Sequence, residues 1–125
     1  MQKKCVSNTS EPIALTKIES LAMWREKYGQ EAPNPATVSA AKNWMCGLYS
    51  DTLLTGTWAE PNITVSSDAD IVFEWWSGDK KLTVYVSEQG AEYIKVWGID
   101  ILNEMEDGNA QDSTVRRELW SWLIG

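Results

Sequence analysis

Residues 71–86 read IVFEWWSGDKKLTVYV, and this stretch decides the fold. Apolar residues alternate with others on both sides of Gly78-Asp79, and a glycine that opens a two-residue loop is typical of a β-hairpin. Folding the chain about this loop pairs apolar residues across two strands: Trp75 with Leu82, Phe73 with Val84, and Ile71 with Val86. Because a slip of one residue would move each set to the other face, the pattern predicts the register together with the hairpin.

The same reasoning extends the sheet on both sides. A three-residue loop at 88–90, with Gly90 in the left-handed position, pairs Val84 with Ile94, whereas a two-residue loop at 89–90 would bring Lys95 onto the apolar face. We therefore expect the three-residue loop. Pro61 marks the preceding strand as an edge. The sequence predicts a four-stranded antiparallel β-meander, with strands at about 62–66, 70–77, 81–87 and 91–98.

Helical periodicity is found on either side of the predicted sheet. Ser10-Glu11-Pro12 is typical of a helix start, and an apolar stripe follows it as far as Tyr28. Asn34-Pro35 predicts the start of a second helix, which ends near residue 50. A third stripe predicts a C-terminal helix at about 113–124, with Asp112 or Ser113 as its cap. With 125 residues, the chain is expected to form a single α+β domain spanning residues 1–125.

The composition excludes several kinds of chemistry. The sequence has no histidine, which removes Ser-His-Asp and Cys-His nucleophiles and every histidine-bound metal, and no glycine-rich phosphate loop or EF-hand loop is present. We therefore expect no cofactor and no metal. Cys5 and Cys46 have no CxxC spacing, and Met1–Lys4 is followed by polar residues instead of a signal peptide. From this we expect reduced cysteines and a cytoplasmic location. We also expect no membrane span, because the longest stretch without a charged residue, Ala32–Ala41, is shorter than the about 20 apolar residues that a spanning helix needs.

The charge is concentrated in the second half of the sequence. The whole chain carries a formal net charge of -7 at pH 7. The segment from Glu88 to Asp112 contains seven acidic residues and one basic residue, Lys95. Such a segment repels nucleic acid and anionic membranes and attracts a basic partner, and the alternative interpretation is that the acidity serves solubility alone. We therefore expect no direct nucleic-acid binding and no membrane binding.

Large aromatic side chains are predicted on the sheet face opposite Phe73. The expected register places Trp76 and Trp97 in one row on either side of Lys81, Tyr85 beside Tyr93, and Glu74 across the middle strand from Lys95. Two interpretations stay open, namely a face covered by the C-terminal helix and an exposed binding surface. A hydrolase-type role for Glu74 is the weakest alternative, because no second carboxylate is identified on that face and Lys95 would keep Glu74 ionised.

A set of short motifs resembles a group of small uncharacterised bacterial proteins. The first is Trp24…Tyr28-Gly29…Ala32-Pro33-Asn34-Pro35, followed by a helix. The second is a proline-led strand, Glu60-Pro61-Asn62-Ile63, then a turn and the strand Ile71-Val72-Phe73-Glu74-Trp75. The group's usual Asp-Gly in that turn is replaced here by Asp68-Ala69-Asp70. The resemblance covers about residues 24–97 and implies an α+β fold with a β-meander, no established activity and no catalytic residue.

These observations favour a non-catalytic protein-interaction factor of the inhibitor, antitoxin-like or immunity-like kind. Its partner is expected to be another protein, of basic character, and a homodimer is a further option. The alternative is a small-ligand or carbohydrate-binding module that uses the aromatic sheet face. No residue is expected to be catalytic. The residues expected to bind the partner are Trp76, Tyr85, Tyr93, Trp97, Glu104, Glu106 and Asp107.

Overall fold

The computed structural model describes residues 12–21, 32–53 and 55–125. Within them the chain forms an α+β fold with three helices: α1 (Ile13–Ser20), α2 (Pro35–Leu53) and α3 (Ser113–Ile124). The five strands are β1 (Asn62–Val65), β2 (Ile71–Ser77), β3 (Lys80–Ser87), β4 (Gly90–Val96) and β5 (Met105–Asn109). They form one antiparallel sheet in the order β1-β2-β3-β4-β5.

The hairpin of β2 and β3 has the predicted register. Trp75 lies opposite Leu82, Phe73 opposite Val84, and Ile71 opposite Val86. Phe73 is fully buried on this face, which we call the inner face. The prediction is confirmed because three successive apolar pairs leave a single register that buries them all.

The predicted register between β3 and β4 is wrong by one residue. Val84 lies opposite Tyr93 instead of Ile94, and Leu82 lies opposite Lys95, because the turn contains two residues, 88 and 89. Gly90 belongs to β4 and pairs with Ser87. Lys95 is tolerated on the inner face because its ammonium lies 3.1 Å from Glu106 Oε2 and 5.1 Å from the Trp122 ring centroid.

The fifth strand, β5, was not predicted. Its sequence Met-Glu-Asp-Gly-Asn has no apolar alternation, and four of its five residues are exposed. The strand forms because β4 supplies main-chain partners along its whole length, from Val96 opposite Met105 to Glu92 opposite Asn109. An edge strand that buries little apolar surface leaves only a weak pattern in the sequence.

Distant and local side chains cap the helices. The carboxylate of Glu60 accepts hydrogen bonds from the main-chain N–H groups of Ile13 and Ala14, at 3.0 and 2.9 Å. This carboxylate, 46 or more residues away in sequence, therefore caps α1 next to Pro12, while Ser10, Glu11 and residues 22–29 of the predicted stripe lie outside the described residues. Asn34 caps α2 and Asp112 caps α3, both as predicted.

The core lies between the inner face and the helices, and tryptophans dominate it. Trp44 of α2 stacks on Phe73 with ring centroids 5.9 Å apart, and Trp120 of α3 meets Trp75 edge-on at 5.6 Å. Each of these three indoles donates its N–H to an oxygen: Trp44 to Ala110 O, Trp75 to Ala59 O, and Trp120 to Thr57 Oγ1. The core therefore buries large rings without leaving their polar atoms unpaired.

Two further features bear on the sequence-based expectations. Cys46 of α2 is in a disulfide, and Cys5, which lies outside the described residues, is the only other cysteine in the sequence. The expectation of reduced cysteines is therefore wrong for Cys46. In the part of the chain that the structure describes, no helix combines the length and the apolar character needed to cross a membrane.

Candidate interaction surface

The register of β4 separates the four aromatic residues that the sequence placed together. Trp76 and Tyr85 lie on the face opposite Phe73, which we call the outer face. Tyr93 lies opposite Val84 and is 8% exposed on the inner face. Trp97 follows β4 on the inner side and meets Trp122 of α3 edge-on, with ring centroids 6.2 Å apart. The predicted platform of four aromatics on one face is therefore wrong.

Trp76 is the exposed aromatic of the outer face. Its side chain is 58% exposed, and the ammonium of Lys81 on β3 lies 5.3 Å from the ring centroid. Lys81 also forms an ion pair of 2.9 Å with Glu74, and Asn62 donates to the same carboxylate at 3.3 Å. The predicted Glu74–Lys95 pair is therefore wrong. Lys81 therefore places its positive charge beside the Trp76 ring at this end of the sheet.

A row of outer-face residues runs from Trp76 to the edge of the sheet. Trp76 lies opposite Lys81, Lys81 opposite Val96, and Val96 opposite Met105 of β5. The loop of residues 97–104 connects Val96 to Met105 and therefore adjoins the same end of the row. Three apolar side chains of this loop are exposed, and together with the row they form what we call the Trp76 surface: Trp76, Val96, Ile99, Ile101, Leu102 and Met105.

Hydrogen bonds within the loop hold its apolar tip in place. Ile99 is 99% exposed and Leu102 is 88% exposed. The carboxylate of Asp100 accepts from the main-chain N–H of Leu102 at 3.1 Å and from the Asn103 side chain at 2.8 Å. These bonds, led by the one from Asn103, lower the pKa of Asp100 below its ordinary value. The apolar tip is therefore presented by an ordered turn.

The sequence-based predictions give this loop no functional role. The signal was available in the run Ile99-Asp100-Ile101-Leu102, where three large apolar residues follow the end of a predicted strand without a partner in the meander. Only the position of β5 shows that this run is the tip of a hairpin and not a part of the core.

The three acidic residues proposed for binding have different roles in the structure. The carboxylate of Glu104 folds back into the loop, beside Gly98, and accepts from the main-chain N–H of Asp100 at 3.2 Å. Glu106 points to the inner side, where Tyr93 and Lys95 bind it. Asp107 is exposed and lies opposite Ile94 on the outer side of β5. Among these three, Asp107 is the carboxylate best placed for a partner.

Tyr93, Glu106 and Lys95 form one network between β4 and β5. The Tyr93 hydroxyl donates to Glu106 Oε1 at 2.8 Å, and this bond, followed by the contact with Lys95, lowers the pKa of Glu106. Burial of Tyr93, and then the same bond to Glu106, raise the pKa of the phenol to about 12. This network stabilises the edge strand and leaves Tyr93 unavailable to a partner.

A second group of carboxylates borders an open polar depression of about 500 Å³ at the opposite end of the sheet. Asp68, Asp70 and Glu92 line it together with Tyr85, which is half-buried. Burial, then the charges of Asp68 and Glu92, raise the pKa of Asp70. The main chain of Asp68 and Asp70 donates to Ser66 Oγ, as expected for a turn.

Comparison of the chain with protein-family models, with curated proteins and with solved structures gave no match. The resemblance to small bacterial proteins therefore stays a prediction. Across the described ranges 12–21, 32–53 and 55–125, no group of three or more His, Cys, Asp and Glu side chains is placed to hold a metal ion.

Proposed function

We propose that this chain is a non-catalytic protein-interaction factor, of the inhibitor, antitoxin-like or immunity-like kind, which binds a basic partner protein through the Trp76 surface. The exposure of this surface carries the proposal. Trp76, Ile99 and Leu102 are 58%, 99% and 88% exposed at one end of one sheet. Proteins that act alone rarely leave several large apolar side chains exposed at one end of a sheet, and tryptophan is enriched among the residues that dominate binding energy.

The charge around the Trp76 surface supports a basic partner. Asp100 and Asp107 are exposed in the loop and on β5, next to the apolar residues, and the whole chain carries a net charge of -7. Carboxylates at the rim of an apolar surface accelerate the approach of a partner with positive charge and disfavour an acidic one. The same charges oppose binding to nucleic acid and to anionic membranes.

The carbohydrate-binding alternative has less support. It required Trp76, Tyr85, Tyr93 and Trp97 on one face, where several rings could stack on sugars. Tyr93 and Trp97 lie on the inner side instead, where Tyr93 is buried and Trp97 packs against Trp122. A hydrolase role for Glu74 also loses support, because its carboxylate is bound by Lys81 and Asn62.

The oxidation state of Cys46 tests the cytoplasmic location that we propose. A disulfide at Cys46 supports an oxidising compartment, since the cytoplasm keeps most thiols reduced. A thiol-reactive label, added to host cells at lysis under denaturing conditions so that no thiol oxidises afterwards, distinguishes the two locations. A labelled Cys46 supports the cytoplasm, and an unlabelled one contradicts it.

Affinity capture from the native host tests the proposed function. The bait variant replaces Ile99, Ile101 and Leu102 by serine, which removes the apolar tip from an exposed loop. The matched control is Ile13→Ser, because Ile13 is 61% exposed on α1, away from this loop. We expect a basic protein that the wild type and the control retain and the loop variant loses. Equal retention by all three baits would contradict the proposal.

A further inference from the structure

The outer edge of β5 presents main-chain groups without partners among the described residues. Trp97 N–H donates to Glu104 O, and Ala110 N–H donates to Ala91 O. In an antiparallel pair every second residue forms main-chain hydrogen bonds to the neighbouring strand. Since residues 104 and 110 bond to the β4 side, the main chains of residues 106 and 108 also face β4. Those of residues 105, 107 and 109 face away from the sheet. β5 is the last strand in the sheet order, and no described strand lies beyond it.

Apolar and acidic side chains are arranged in sequence along this edge. Met105 is 36% exposed at the end that adjoins the Trp76 surface, and Asp107 follows two residues later on the same face. The other face of β5 is already occupied, since Glu106 binds Tyr93 and Lys95, and the Tyr93 ring covers Gly108. The side chains of β5 that an added strand can contact are therefore those on the outer face.

Charge decides which strand fits this edge. Two copies of β5 paired about a twofold axis at Asp107 would place two aspartates directly opposite each other, and like charges in that position destabilise a sheet. Charged side chains on edge strands generally prevent pairing of a protein with itself. A strand with lysine or arginine opposite Asp107 and an apolar residue opposite Met105 meets both requirements.

We propose that β5 binds an extended segment of the basic partner as a sixth strand of the sheet. Main-chain hydrogen bonds from residues 105, 107 and 109 supply the affinity. Specificity comes from a basic side chain and an apolar side chain, spaced two residues apart, which lie next to Asp107 and Met105. This inference rests on the proposed function and specifies how the partner is bound.

Hydrogen exchange of the full-length protein tests the proposal, with the synthetic peptide acetyl-Thr-Lys-Thr-Lys-Thr-Leu-Thr-amide as the probe. In the free protein we expect fast exchange at the amides of residues 105, 107 and 109, and slow exchange at residues 106 and 108, which serve as internal controls. At 90% occupancy the three outward amides should slow by about tenfold, because only the free fraction exchanges. The control peptide carries glutamate in place of both lysines and should leave all five amides unchanged.

Several results would overturn strand addition at β5. These are absence of peptide binding, binding that leaves the three outward amides unprotected, and equal protection by the glutamate peptide. Protection of these amides in the protein alone, rising with its concentration, would show that the edge binds a second copy. The capture experiment tests the side chains of the loop and does not test the main chain of β5. A partner lost by the loop variant, combined with unprotected outward amides, would therefore reject only the mode of binding.

Discussion

The hydroxyl of Tyr93 on the buried inner face donates a 2.8 Å hydrogen bond to Glu106 on the exposed edge strand. The main chains of these residues are paired with others, Tyr93 with Gly108 and Glu106 with Lys95, so the bond runs diagonally between β4 and β5. Lys95 completes the network through its 3.1 Å ion pair with Glu106. The strand that carries Asp107 and Met105 is therefore fixed to the core by Tyr93, a side chain predicted from the sequence to bind the partner.

The first prediction concerns the ionisation of Tyr93. The folded state raises the pKa of this phenol from 10.0 to about 12. A raised pKa means that the contribution to stability is complete below about pH 10 and is lost as the pH rises toward about 12. We expect one tyrosine to titrate late in an absorbance titration, and Tyr93→Phe to remove that late phase. A late phase that persists in this variant would show that another tyrosine is responsible.

The second prediction concerns the packing of Tyr93 on Gly108. A Cβ atom at position 108 would lie 2.9 Å from Tyr93 Cε1, and the ring cannot move freely because Glu106 binds its hydroxyl. We expect Gly108→Ala to lower the free energy of unfolding by about 1–3 kcal/mol, as overpacking does. Urea denaturation gives the measurement, with Asp107→Ala at the adjacent exposed position as the control. Equal stability of the two variants would contradict the packing described here.

The third prediction concerns the disulfide of Cys46. Within the chain the sequence offers Cys46 one partner, Cys5, and a bond between the two would close a loop of about 40 residues. Cross-links of this size stabilise proteins by about 2–4 kcal/mol. We expect a reductant to lower the thermal midpoint of the wild type. The variant Cys46→Ser should already have the lower midpoint and should not respond to the reductant. An unchanged midpoint in the wild type would show that the bond does not stabilise the fold.

Much of the fold could be predicted from the sequence because the two strands of the β2–β3 hairpin carry large apolar residues at alternate positions that pair with one another. Phe73 and its neighbours have apolar partners in a single register, and the caps Asn34 and Asp112 follow local rules. The position of Lys95 could not be predicted in this way. Lys95 lies on the inner face because Glu106 and Trp122 contact it there. Glu106 belongs to β5, a strand whose sequence has no apolar pattern. A one-residue error at this loop was then sufficient to place Tyr93 and Trp97 on the wrong face.

The candidate site was predicted only in part for the same reason. Trp76 was correctly placed on the outer face, because it belongs to the hairpin with the certain register. The exposed loop was missed, since apolar residues such as Ile101 are usually assigned to a core. The conformation of the turn at Ala69 was not predicted either. Its φ of 64° lies in the left-handed region, which favours glycine.

The fourth prediction concerns the charge of Asp107 and uses the partner identified by capture. Asp107→Asn removes one exposed carboxylate beside the Trp76 surface and leaves the Glu106 network intact. We expect slower association, little change in dissociation, and a smaller effect at high salt, since exposed charges are screened beyond about 8 Å at physiological ionic strength. The control is Asp68→Asn, at the other end of the sheet, which should change neither rate. Association that is independent of salt for the wild type would contradict a docking role for these charges.

The affinity of Trp76→Ala for the captured partner tests the central claim most directly. Trp76 is exposed and lies outside the core, so the variant should keep the stability of the wild type within about 0.5 kcal/mol, as exposed substitutions usually do. If the Trp76 surface is the binding site, truncation of its largest ring should cost about 2 kcal/mol or more, which is about a 30-fold rise in Kd. Calorimetry of the wild type, Trp76→Ala and the control Ile13→Ala provides the comparison. A 30-fold loss confined to Trp76→Ala is the result that we predict, and equal affinity of all three proteins would contradict the assignment of this surface.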